Sequence, residues 1–498
     1  MDIQFLTRTV SCCRESFRQT KVFQENCDCI VSDVNEDIGQ IVWADAQLCL
    51  KSKDITQHGV SIGFSAEFSV LYLDEKREHL CSMSFSREFA EEFDLPSVEL
   101  DMKAQVLLSA LGAQARAVNS RKLSLQLTVR VDLSCWQDDT LSIATGMKEA
   151  EELCIQLKEE SASFYLSNQV CEKSFVISEQ LPLPAEDEAE GQLLLPVLGF
   201  GQHDCQIIGE KALIKSSAEI SLVRFDRQSD MLQKIERTIP FTVLLDIPDE
   251  DCSLEQLLLQ PTGVYVNLSD AINGSRMIEL ELHVLAQAAF ARQETVTYIE
   301  DAYSTRYPLI AQTECLRLRS GRNQETLPAQ AEEKLLLEGS IKQIVSVFAS
   351  LISTSSKEGK ACASVLTTVL LQNEDQSYSA VQKLLSIESP LPEGFFELSS
   401  AVLSHIEAHL DANTLQICAA VDYSLVNEQS RELLSLSSAE ADLDNPFDLS
   451  KLPSLTAVKR RNRTLWSIAK AYHSRLSAIE ELQERYPMPN DILLIPRV

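Results

Sequence analysis

The chain predicts a mainly β protein: three tandem β-sandwich-like modules followed by a small strand–helix–helix–strand unit. Three observations carry this reading. Long stretches alternate apolar and polar residues at the two-residue strand period, one such stretch recurs at near-constant spacing, and the last forty-odd residues switch to helical spacing. At ~150 residues per domain, 498 residues are also too many for one core.

The repeat comes first. Ser65-Ala66-Glu67-Phe68-Ser69-Val70-Leu71-Tyr72-Leu73-Asp74 recurs 152 positions later as Ser217-Ala218-Glu219-Ile220-Ser221-Leu222-Val223-Arg224-Phe225-Asp226, with five identities in ten. A fainter copy, Ser364 to Asn373, follows 147 positions after the second. In the first copy Phe64, Ala66, Phe68, Val70 and Tyr72 share one face. Each module closes with a second alternating strand: Leu123 to Leu133, Ile278 to Val284, and Leu415 to Tyr423. Asn273-Gly274, after Val264-Tyr265-Val266, has the composition of a type I′ hairpin turn. Polar stretches at Pro184–Glu190 and Ser320–Glu325 read as connections, and Ser435 to Pro453 lacks an apolar period. The resulting division is 1–150, 151–330 and 331–442 for the modules, 443–455 for a linker and 456–498 for the terminal unit.

Charge and composition exclude several functions. Lys plus Arg is 44 against 74 for Asp plus Glu, a net charge of -30, so a partner recognised through its phosphates would be repelled and no nucleic acid is expected. Met1 to Val10 has no basic region leading into an apolar core, and no run approaches the ~18 apolar residues of a membrane span, so the expectation is a cytoplasmic protein without membrane insertion. The 14 Cys are scattered and contain no Cys-x2-Cys pair, which predicts free thiols in a reducing compartment and no zinc site.

No phosphate loop, His-Glu-x-x-His or Gly-x-Ser-x-Gly elbow occurs, and Gly199-Phe200-Gly201 lacks its third glycine. No catalytic residue, metal or cofactor is therefore expected, and the protein reads as non-enzymatic. His405 and His409 would suit a metal on a helix, but their neighbours alternate as a strand and place them toward solvent. Acid pairs such as Glu91-Glu92 and Asp249-Glu250-Asp251 are what an acid-rich chain produces by abundance.

The terminal unit differs in sign. Thr456 to Val498 holds 8 Lys or Arg and 4 Asp or Glu, a local charge of +4 within a chain of -30. A strand at Leu455–Lys459 leads to a helix whose face is Leu465, Ile468, Ala469 and Tyr472, with Thr464 as N-cap. Ser477-Ala478-Ile479-Glu480 has the spacing of a capping box for a second helix facing inward through Leu476, Ile479 and Leu482, and Pro487 and Pro489 end it. Ile492 to Ile495 is a closing strand. Lys459, Arg460, Arg461 and Arg463 precede the first helix, where cations oppose the helix dipole and gain nothing for stability, so the cluster reads either as a recognition surface or as a solvated loop. Trp466, at the margin of the buried face, reads either as core or as a partly exposed, groove-lining aromatic anchor.

Thr464-Leu465-Trp466-Ser467-Ile468-Ala469 followed by Leu493-Leu494-Ile495-Pro496 resembles a LysM domain. The resemblance implies a binding groove for N-acetylglucosamine polymers at Asn462, Arg463, Thr464, Leu465, Trp466, Gln483, Asn490, Asp491 and Ile492. The family's Gly-Asp pair is here Asn462-Arg463, its Asn after the second helix is Gln483, and its late loop Gly is Asn490. Upstream, Tyr298-Ile299-Glu300-Asp301-Ala302-Tyr303-Ser304 and Ile239-Pro240-Phe241, both in the second module, resemble segments of the SPOCS domain (DUF3794). SPOCS modules joined to a LysM resemble the SipL-like spore coat morphogenesis proteins. That resemblance implies a mother-cell adaptor at the forespore surface, docking through its LysM on the coat's base-layer morphogenetic ATPase and on other coat proteins. The alternative is a peptidoglycan or N-acetylglucosamine-containing glycan as ligand.

Overall fold

The computed structural model describes the chain except residues 77–78, 100, 183–190, 227–230, 248–249, 271–275, 376, 395–396, 449, 451–452, 490 and 498. In chain order the strands are β1 (Phe5–Ile30), β2 (Ile38–Ile55), β3 (Gly59–Asp74), β4 (Leu80–Asp94), β5 (Lys103–Asn119), β6 (Lys122–Met147), β7 (Ile155–Pro182), β8 (Gly191–Phe200), β9 (Asp204–Ile208), β10 (Lys211–Asp226), β11 (Met231–Asp246), β12 (Cys252–Asp270), β13 (Arg276–Ser304), β14 (Leu309–Leu336), β15 (Ile341–Lys357), β16 (Lys360–Asn373), β17 (Tyr378–Pro390), β18 (Glu397–Asp411) and β19 (Thr414–Ala441). The chain ends with β20 (Leu455–Lys459), α1 (Leu465–Ala471), α2 (Leu476–Arg485) and β21 (Ile492–Pro496).

The chain is mainly β, in several small antiparallel sheets, and one pairing pattern recurs along it. β6 lies between β1 and β5, β13 between β7 and β12, and β19 between β14 and β18. In the smaller sheets β3 lies between β2 and β4, β10 between β8 and β11, and β16 between β15 and β17. The recurring decapeptide is thus the C-terminal part of β3, β10 and β16, and the second alternating segments lie in β6, β13 and β19. Every one of these is a central strand, because a strand paired along both edges and packed on one face rewards strict alternation most.

The first such core shows how. Leu123, Leu125, Leu127, Val129, Val131 and Leu133 of β6 are all 0% exposed, and they pack in one cluster with Phe64, Ala66, Phe68, Val70 and Tyr72 of β3. Each such side chain contributes ~1.5–3 kcal/mol through burial. Ile278 to Val284 of β13 face Ala218, Ile220 and Leu222 of β10, and Leu415 to Tyr423 of β19 face Ala363, Val365 and Val369 of β16 in the same way.

The cores are then joined to one another. Leu71 and Leu73 use the opposite face of β3 and pack with Trp43 against Phe348, Leu370 and Tyr378, with the Trp43 and Phe348 rings stacked at 4.5 Å. Two wholly buried glutamines cover the edge of β5: Gln287 Oε1 accepts from Val106 N at 3.0 Å and its Nε2 donates to Val106 O at 2.7 Å, while Gln260 Oε1 accepts from Leu108 N at 2.8 Å. Side-chain amides here do what a further strand would do, satisfying edge groups that are costly to bury unpaired. Arg319 and Tyr165 pair once across β14 and β7, which extends the larger sheets into six strands in the order β12-β13-β7-β14-β19-β18.

Several local expectations change. Ser320–Glu325 is not a connection but the middle of β14, and Ser435 to Ala441 completes β19, with Leu436 and Ala439 buried. Both segments sit on long ribbons whose solvent face is polar, so composition alone reads them as loops. Ile239-Pro240-Phe241 lies inside β11, an edge strand where a missing N–H is tolerated. Asn273-Gly274 and Pro184–Glu190 lie outside the described residues. His405 and His409 are on β18 with side chains 58% and 69% exposed, each 3.4 Å from Glu407. The 14 cysteines form no disulfide. Among the described residues no helix is long and apolar enough to cross a membrane.

Candidate functional site

The terminal unit is built by β20 and β21, which pair from Leu455–Pro496 to Lys459–Ile492, and by the two helices that cover them. Thr464 caps α1 as its sequence predicts, its Oγ1 accepting from Ser467 N at 3.1 Å. The second cap is different. α2 begins two residues earlier than the Ser477–Glu480 spacing requires, with Arg475 at the N-cap and no side-chain cap bond, so Ser477 lies inside the helix. Ile468, Ala469, Ile479, Val458, Leu493 and Ile495 form the interior. Tyr472, expected on the buried face, is 38% exposed because α1 ends at Ala471.

One member of that interior comes from far away. Tyr303, at the end of β13, is 4% exposed within this cluster, and its hydroxyl donates to Ser474 O at 2.6 Å. Burial pushes that phenol well above its ordinary range. Trp466 stands edge-on to the Tyr303 ring at 4.9 Å, and its Nε1–H donates to Asp301 Oδ2 at 2.8 Å. Lys470 reaches the same carboxylate at 2.7 and 2.9 Å. Burial alone would raise the Asp301 carboxyl, but the hydrogen bonds from Lys470 and Trp466 outweigh it and hold the group below the usual carboxylate range. The connecting segment adds a fastener. Phe447 N donates to Arg306 O at 2.9 Å, and the Phe447 ring stacks on His473 at 3.7 Å.

Of the two readings of Trp466, this contact answers the core one. The half-buried indole N–H needs an acceptor, and Asp301 supplies one from inside the chain, so Trp466 fastens the terminal unit to β13. The other candidates stay accessible. Asn462, Arg463, Thr464 and Asp491 are exposed, and Leu465, Gln483 and Ile492 are half-buried. The structure brings the basic turn beside the last strand: Arg460 N donates to Asp491 O at 2.8 Å, and Lys459 pairs with Ile492. Asn490 lies outside the described residues. Among the described residues no hydrogen bond or ion pair joins Gln483 to this group.

The basic cluster folds into a tight turn. Arg463 N donates to Arg460 O at 3.2 Å, and Arg461 takes the left-handed conformation at φ 53°. Arg460 Nε donates to Arg463 O at 3.2 Å and an Arg463 guanidinium N–H to Lys459 O at 3.3 Å. These bonds shape the turn without neutralising it, since their acceptors are carbonyls. The face can present planar, multi-donor cations to carboxylates of a partner.

Asp301 and Tyr303 are the residues of this contact that sequence reasoning missed. They lie inside the Tyr298–Ser304 segment that drew attention by resemblance. Nothing local announces their partners some 165 positions later.

Residues 37–110 match the family model described as SipL, SPOCS domain. The match covers β2, β3, β4 and the start of β5, and includes the first copy of the repeat. It supports SPOCS membership on the first stretch of the chain, whereas the sequence segments quoted for that resemblance lie in the second. The segment thereby connects the chain to a sporulation-related family. No curated protein and no solved structure matches the chain.

Proposed function

We propose that the protein is a non-enzymatic adaptor in spore coat assembly, working in the mother-cell cytoplasm at the forespore surface. Each recurrence of the six-strand pattern is one SPOCS module, and the terminal unit is a LysM domain that docks on the coat's base-layer morphogenetic ATPase while the modules tether the coat. The observation that carries this reading is the SPOCS match at residues 37–110. The exposed, carbonyl-braced turn of Lys459, Arg460, Arg461 and Arg463 supports the docking step, because opposite charge on a partner raises the association rate and fixes orientation.

The test is co-purification from sporulating cells with the full chain, with a chain lacking residues 456–498, and with Arg460, Arg461 and Arg463 all changed to Glu. Loss of the base-layer ATPase from both altered chains, with cooperative melting retained, is the expected result. Full retention by the charge-reversed chain, together with saturable chito-oligosaccharide binding, would replace this reading with glycan recognition.

A further inference from the structure

Where the outer face of the β2–β3 pair approaches β5, β8, β12, β15 and β18, the seven strands line a partly open cavity of about 410 Å³. Its residues are drawn from the whole strand array, so the cavity exists only in the assembled chain. Much of the wall is apolar, including Leu108, Leu259 and Leu403, but the β2–β3 side carries Asp45, Glu67 and Ser69. Asp45 and Ser69 are directly opposite in the strand register.

These polar groups lack the partners a native interior normally provides. Asp45 accepts a hydrogen bond from Ala46 N at 2.8 Å, but no Lys, Arg or His lines the cavity, and among the described residues Asp45 has no ion pair. Ser69 is 3% exposed and its Oγ has no hydrogen-bond partner. Glu67 already accepts from Ser86 Oγ at 2.6 Å. Desolvation pushes the Asp45 carboxyl up to about 6, which still leaves it mostly ionised at neutral pH. A half-buried anion without a cation and an orphaned, buried hydroxyl are each costly, and they stand side by side.

One ligand chemistry answers both. A hard metal ion takes six or more oxygen ligands and gains nothing from leucine walls. An ammonium group brings one positive charge and three N–H donors. We propose that this cavity binds a small protonated primary amine, its ammonium held by Asp45 and Ser69 beside Glu67 and its carbon chain lying on the leucine wall.

The test is calorimetric titration of the full chain with n-butylamine at neutral pH, with 1-butanol as an uncharged molecule of similar shape. Saturable one-to-one binding of the amine, at least ~tenfold weaker for the alcohol, is expected. Asp45→Asn should weaken amine binding by a similar factor while leaving the melting transition in place or higher. Ser69→Ala, which retains the packing, should weaken it less and serves where Asp45→Asn does not fold. Acidification through the Asp45 range should release the amine. No saturable binding, equal binding of the alcohol, or undiminished binding by both variants would overturn the proposal.

Discussion

Replacing Asp301 by Ala should detach the terminal unit while leaving the strand array folded. The carboxylate accepts the Trp466 indole N–H at 2.8 Å, a partly buried charge-assisted bond worth ~1.5–3 kcal/mol. It also pairs with Lys470, whose side chain is 44% exposed, so that contact adds only ~0.2–1 kcal/mol after screening. Together the loss is about 2–4 kcal/mol, or roughly 30- to 800-fold in the docking equilibrium. Exchange of the Trp466 indole proton with water, followed by NMR, reads this opening directly, and chymotryptic cleavage beside Phe447 reads it independently. Asp301→Asn, which keeps an oxygen acceptor but no charge, should fall between. The pH dependence has a fixed sign. Because docking holds the Asp301 carboxyl below its free value, the contact is at full strength above the ordinary carboxylate range near ~4 and weakens as pH falls through the docked value. Unchanged indole exchange and cleavage in Asp301→Ala would refute the whole account of the docked interface.

Leu127→Ala, at a wholly buried position of the central strand β6, should cost ~2–5 kcal/mol in chemical denaturation, whereas Leu336→Ala, 83% exposed, should cost almost nothing. His473 is kept neutral by burial against Phe447, so lowering the pH below its ordinary value near ~6.5 should speed cleavage at Phe447. His473→Asn tolerates the left-handed backbone at φ 49° and should make that cleavage indifferent to pH over the same interval. Gln287→Leu should strip the edge of β5 of its amide partners, leaving Val106 N–H and C=O buried and unsatisfied at ~1–3 kcal/mol each, read as a fall in the denaturation midpoint.

What was legible in the sequence is what local periodicity controls. Alternation located β3, β6, β13 and β19 with their buried faces, because side chains of central strands must repeat every second residue. Thr464 was legible as a cap because its oxygen acts within three residues. The run Val70 to Leu73 was less so: alternation assigned one face, while burial of Leu71 and Leu73 depends on Phe348 and Leu370 of a distant sheet. The polar middle of β14 and the end of β19 were misread for the converse reason, since their solvent faces are polar and their pairing is set by partners more than a hundred residues apart. At the site, charge sets the basic turn apart from the acidic remainder of the chain. The role of Trp466 was not legible, since the choice between facing solvent and facing Asp301 is made by tertiary packing across 165 positions.

The basic turn gains meaning from what it does not contact. The chain has 74 acidic residues against 44 basic ones, and cations elsewhere find them readily: Lys21 pairs with Glu91, Lys53 with Glu172 and Arg121 with Asp37. In the terminal unit Lys470 also finds an acid, Asp301. Yet among the described residues Lys459, Arg460, Arg461 and Arg463 make no ion pair, and the bonds of Arg460 and Arg463 go to carbonyls of their own turn. A flexibly tethered +4 unit beside so acidic a body would be drawn onto it at separations within a Debye length of ~8 Å. The fasteners at Asp301, Tyr303 and Phe447 oppose that collapse by fixing one orientation, with Lys470 and Trp466 turned inward and the arginine turn left to solvent. The proposed docking on another protein's carboxylates needs that arrangement, because cations already neutralised within the chain would add neither rate nor specificity to the encounter.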